Sequence, residues 1–156
     1  MKRLTQHGFF LIEVVVAASV IATVLLLLLG AIQNSVEASQ RSLERTQASY
    51  LLEEGAEAVR AIRDNNWNTI SALTPNTSYY LSWSGSSWSL TTSPNTIDAF
   101  TRTVVVSPVS RDVNQDIVVT GGTNDPGTKK VVLTVAWNSQ SGAKSETLPF
   151  YIANIR

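Results

Sequence analysis

Three patterns of hydrophobic and polar positions succeed one another along the 156 residues. The first is a continuous apolar run. From Val14 to Ile32, nineteen residues carry neither charge nor proline, and as a helix at ~1.5 Å per residue they reach ~28 Å, close to a hydrocarbon core of ~30 Å. The second pattern is helical. No proline occurs before Pro75, and helix-compatible residues from Phe9 to about Asn65 predict one helix of ~84 Å if unbroken. In its later part Leu43, Leu51, Gly55, Val59 and Ile62 follow one face, which is expected to rest on a sheet. On the other side Glu37–Arg41, Arg41–Glu44, Glu57–Arg60 and Arg60–Asp64 are spaced for weak ion pairs of ~0.2–0.5 kcal/mol each.

The third pattern begins after Trp67, where Ser, Thr, Asn, Val and aromatic residues alternate between closely spaced turn residues. Such a stretch predicts strands. SYYLSW (78–83) and WSLTT (88–92) flank Ser84-Gly85-Ser86-Ser87 as a hairpin. FTRTVVVSPV (100–109), QDIVVT (115–120), KKVVLTVAW (129–137) and ETLPFYIANI (146–155) complete a set of about six, expected to form an antiparallel meander. Val131, Leu133, Val135 and Trp137 alternate with Lys130, Val132, Thr134 and Ala136, so one face should meet the helix. Pro108 and Pro149 mark strand ends, bulges or edges. The fold class that follows is α+β, a long N-terminal helix on a C-terminal antiparallel sheet.

The start of the chain poses a membrane problem. Lys2 and Arg3 precede the apolar run with no acid among the first twelve residues, which keeps the N-terminus cytoplasmic and sends the bulk of the chain across. A secretory signal peptide would have a shorter core, although Val36-Glu37-Ala38 before Ser39 imitates a cleavage site. A plain signal anchor fits in length and orientation but gives no reason for Glu13. Ionisable residues within spans are commonly functional; alternatively, the Glu13 carboxylate snorkels to the headgroups.

Lys2 and Arg3 followed by Gly8-Phe9-Phe10-Leu11-Ile12-Glu13 resemble the cleavage motif of type IV prepilins. The shared features are a short basic leader, a glycine at the cut, an aromatic first mature residue and a glutamate fifth after the cut. Type II secretion pseudopilins and competence pilins share this start. YLLEEGAEAVRAIRDNNW (50–67) also resembles a stretch after the anchor in one branch of minor prepilins. The resemblance implies cleavage between Gly8 and Phe9 by a prepilin peptidase and N-methylation of Phe9. It also implies pairing of Glu13 with the N-terminal amine of a neighbouring subunit. The implied organisation is a leader at 1–8, a transmembrane and filament-core helix at 9–32, its amphipathic continuation at 33–66 and a β-domain at 67–156. Gly30 stands about where many pilins carry a helix-breaking proline, a departure from that pattern.

The partners implied are other pilin subunits, the peptidase, an assembly platform and the membrane, spanned once before assembly. The implied location is the cytoplasmic membrane for the precursor and the extracellular pilus or cell surface for the product. A type II secretion pseudopilin and a signal-anchored surface adhesin are the alternative readings.

Composition narrows the chemistry. The 12 basic and 12 acidic residues balance and form no basic stripe, so no specific nucleic-acid partner is expected. Removing Lys2 and Arg3 leaves 10 basic against 12 acidic residues, a formal −2. Cysteine is absent and the only histidine is His7, within the expected leader, so the commonest tools of acid–base, nucleophilic and zinc chemistry are missing. A non-enzymatic protein is expected, with no catalytic residue, metal or cofactor. Glu53, Glu54 and Glu57 form an acidic helical turn balanced by Arg60 and Arg63, read as a solvated or subunit-facing surface. TGGTNDPGTKK (120–130) is the most irregular stretch, and Asp125 within it reads as a turn residue. Asn76-Thr77-Ser78 fits an N-glycosylation sequon. Tyr79, Tyr80, Trp83 and Trp88 gather around one hairpin, as core packing or as an exposed binding patch.

Overall fold

The structure, a computed structural model, describes residues 7–155, with the side chains described from Phe10 onward. Lys2 and Arg3 lie outside the described residues. One helix, α1 (His7–Asn65), is followed by a five-residue helix, α2 (Trp67–Ser71). The strands are β1 (Ser78–Trp83), β2 (Trp88–Thr91), β3 (Phe100–Arg111), β4 (Ile117–Val118), β5 (Thr123–Ser139) and β6 (Gly142–Ala153). The chain divides at Leu43/Glu44 into two units, and the second contains the last turns of α1 and every strand.

The expected α+β fold is observed: α1 packs on a wholly antiparallel sheet, an arrangement consistent with a pilin-like fold. The sheet order is β2-β1-β3-β5-β6, with β4 pairing β3, so the simple meander is corrected at two places. The tight Ser84–Ser87 turn folds β2 onto the outer edge of β1, leaving the inner edge of β1 for β3. Strand β4 is only two residues long and pairs just Ser110 and Arg111, whereas β5 pairs along the whole of β3. Short β2 has few ladder bonds to offer, whereas twelve residues of β3 find partners on β5.

The core lies between the helix and one face of the sheet. Ala48, Leu52, Ala56, Val59 and Ile62 are buried from α1, against Leu81, Val104, Val106, Val131, Leu133, Val135 and Trp137 from the strands. The alternation read in β5 holds, with Val131, Leu133 and Val135 fully buried. Leu43, expected on the packed face, is 59% exposed; it stands five residues before Ala48, the first fully buried residue of α1 among those described. Pro108 sits where the β3–β5 register shifts, and Pro149 lies on the edge strand β6, both positions where a missing N–H is tolerated.

Two further stretches differ from the sequence reading. Residues 67–71 form α2 because Asn66 adopts an extended conformation, ends α1, and accepts a hydrogen bond from the Asn68 N–H at 2.9 Å. Residues 123–130 belong to β5. Pro126, Gly127 and Thr128 bulge out between Asp125, opposite Val109, and Lys129, opposite Pro108. Asp125 is therefore a strand residue beside a bulge. It accepts from Arg111 Nε at 2.7 Å and from the Gly127 N–H at 2.9 Å.

Candidate functional site

Glu13 lies on the first unit, in the part of α1 that buries nothing. No described residue before Ala48 is buried. Fifteen large apolar side chains between Phe10 and Ile32 are exposed, Phe10 at 72% and Leu26 at 71% among them. Each would gain ~1.5–3 kcal/mol on full burial, so water is a poor solvent for this surface by an amount on the order of tens of kcal/mol. The segment is long and apolar enough to cross a membrane. Its two hydroxyl groups are satisfied by its own backbone: Ser19 Oγ donates to Val16 O at 2.7 Å and Thr23 Oγ1 to Ser19 O at 2.8 Å. That back-bonding removes the cost of placing a hydroxyl in hydrocarbon. Glu13 is exposed one helical turn beyond Phe9, an ionisable group on an otherwise apolar surface.

Beyond the span the helix becomes a polar surface and then a packed one. Arg41 reaches Glu37 at 2.7 Å, and Arg60 pairs with Glu57, as their spacing predicts. Glu44 accepts a hydrogen bond from the Trp137 indole at 3.0 Å, which ties the first covered turn of the helix to β5. Arg63 Nε contacts Asp64 at 2.8 Å, and the Arg60 guanidinium lies 5.7 Å from the Phe150 ring centroid.

The acidic turn of α1 holds what the sequence reading missed. Arg102 on β3 is 2% exposed and points at the helix. Its Nη1 donates to the Leu51 carbonyl at 3.0 Å and to Glu54 Oε2 at 2.8 Å, and the guanidinium lies 5.5 Å from the Trp88 ring centroid. Its Nε is buried without a partner. Gly55 makes this approach feasible: a Cβ there would stand 3.1 Å from Arg102 Cδ and 3.3 Å from both Leu133 methyls. Glu54 is thus the partner of a buried cation and not part of a purely solvated face. The signal was available, since Arg102 shares strand parity with Phe100, Val104 and Val106, all inward.

At the far end of the sheet Arg111 links three elements, donating to Asp125, Thr128 and the Gln115 carbonyl. Hydrogen bonding from Arg111, then from Thr128, holds the Asp125 carboxyl below its usual range. Among the described residues no group of three or more His, Cys, Asp or Glu is arranged to hold a metal ion. Around the β1–β2 hairpin the four aromatics divide: Tyr79 is buried and its hydroxyl oxygen accepts from the Thr74 N–H at 2.9 Å, while Trp83 is 53% exposed.

Comparison with known proteins adds no relative: no protein-family model, curated protein or solved structure matches the chain.

Proposed function

We propose that the chain is a minor type IV pilin or pilin-like structural subunit. It enters the cytoplasmic membrane as a precursor, is cut after Gly8 by a prepilin peptidase, is methylated on Phe9, and joins a filament through α1. The carrying observation is the apolar surface from Phe10 to Ile32, in which no residue is buried, with Glu13 as its ionisable group. A surface of that kind suits two successive environments, lipid before assembly and neighbouring helices after it.

Electrostatics supplies the reason for Glu13. A lone carboxylate costs up to ~2.5–3.5 kcal/mol at mid-bilayer, and less near the edge. Cleavage after Gly8 creates an α-amino group one turn away along the helix surface. In the filament that amine and the Glu13 carboxylate of an adjacent subunit neutralise each other. The pair then fixes register between helices, as a buried polar residue does in a coiled coil.

Glu13→Ala, expressed in the native host, tests this reading. The variant should insert and be cleaved as the wild type is, yet be missing from sheared surface filaments on an immunoblot. Normal incorporation of Glu13→Ala would overturn the pairing.

A further inference from the structure

We propose that the groove between the end of α1 and the β1–β2 hairpin binds a neutral saccharide. One wall is helical, made by Ala61, Ile62 and Asn65; the other is the hairpin, made by Trp83, Ser86, Ser87 and Trp88. The space between them is about 440 Å³, within the ~300–1,000 Å³ of small-molecule sites.

Trp83 is the anomaly that draws attention to this groove. It shares strand parity with buried Tyr79 and Leu81, on the face turned toward the helix, yet remains 53% exposed. Its ring stands 5.2 Å from that of Trp88, its Cα partner across the hairpin, at an interplanar angle of 51°. The two indoles form an angled platform. The Arg102 guanidinium packs over the Trp88 ring, 5.5 Å from its centroid, and the turn is closed by the Ser84 N–H bonding the Ser87 carbonyl at 3.1 Å with Gly85 at φ +92°. The platform is thereby ordered before any ligand arrives, which lowers the entropic cost of binding.

The chemistry of the lining selects the ligand class. None of the seven lining residues is charged, so no lining side chain offers an ionic group a partner. A purely apolar ligand would leave the Asn65 carboxamide and the Ser86 hydroxyl, both exposed, to lose water without replacement. A pyranose ring satisfies both demands. Its axial C–H bonds give an apolar face that lies on an indole, and its equatorial hydroxyls reach donors and acceptors at the rim. Rings whose substituents are all equatorial fit an open two-ring platform best.

Saturation-transfer NMR with cellohexaose tests the assignment on the full chain, held in phosphocholine detergent so that no sugar headgroup competes. Transfer to the ring protons of cellohexaose is expected. Trp83→Ala should weaken binding about tenfold, ~1.4 kcal/mol, and Asn65→Ala should weaken it by a smaller factor. Tyr50→Ala, at another exposed aromatic on α1, should leave it unchanged. Should Trp83→Ala fail to fold, Asn65→Ala and Ser86→Ala carry the comparison. Absence of transfer at millimolar cellohexaose, equal binding by the groove variants, or equal competition by a sulfated hexasaccharide would overturn the proposal. None of these outcomes depends on filament assembly.

Discussion

Removing Glu54 should destabilise the protein more than removing the buried arginine it faces. In the Glu54→Ala variant the Arg102 guanidinium, 2% exposed in the wild type, keeps the Leu51 carbonyl and the Trp88 ring but loses the Glu54 carboxylate. An uncompensated buried charge of this kind costs several kcal/mol in a closed interior. Here Glu54 is 49% exposed, so water reaches its side of the pair and the cost falls to ~1–2 kcal/mol. In Arg102→Met the charge and the unpartnered Nε vanish together. Glu54 then returns to water, and the Leu51 carbonyl keeps its place in the helix ladder. The lost hydrogen bonds and cation–π contact, ~1–2 kcal/mol, are offset by the Nε relieved of burial and by apolar packing, for a net change within ~1 kcal/mol. For a domain of this size ~1 kcal/mol shifts Tm by about 4 °C. Thermal melts of the full chain in detergent should therefore place Glu54→Ala ~4–8 °C below wild type, with Arg102→Met and the double variant both close to wild type. A melt in which Arg102→Met falls as far as Glu54→Ala would refute this reasoning.

Three further outcomes are expected. Gly55→Val should lose ~1–3 kcal/mol in urea unfolding, because the new side chain meets Arg102 and fully buried Leu133 with no room to yield, whereas Gly30→Ala, with nothing within 4 Å of a Cβ, should lose none. Asp125→Asn should be less stable than wild type at neutral pH. The Asp125 carboxyl titrates below its usual 3.8 when folded, so its contribution is present above that value and is lost as pH falls through the folded pKa; urea midpoints of the two proteins should converge in acid. Trp137→Phe should cost ~0.5–1.5 kcal/mol through the lost bond to Glu44, with faster amide exchange in the turn around Glu44.

The elements that were legible in the sequence were those written in long, unbroken patterns. The absence of proline before Pro75 and the uncharged run predicted α1, and strict alternation in KKVVLTVAW predicted the buried face of β5. The helix face was only partly visible. Leu51, Gly55, Val59 and Ile62 announced it, but Ala48, Ala56 and Ala58, which are also buried, have side chains too small to stand out in an apolar pattern. Leu43 misled because hydrophobic periodicity does not say where the partner sheet ends. Strand order was hidden because a hairpin fixes which strands pair locally but not which edge receives the next one. Asp125 looked like a loop residue among glycines, since a bulge stabilised by an ion pair from Arg111, fourteen positions away, leaves no local signature. Arg102 was overlooked for a related reason: its acceptors lie 48 and 51 residues back along the chain.

Assembly through α1 depends on what becomes of the first eight residues. Mass spectrometry of the N-terminal peptide, from protein recovered at the surface of its native host, measures this directly. The predicted peptide begins at Phe9 and carries one methyl group on its amine. A peptide beginning at Met1, or at Ser39, would contradict the account.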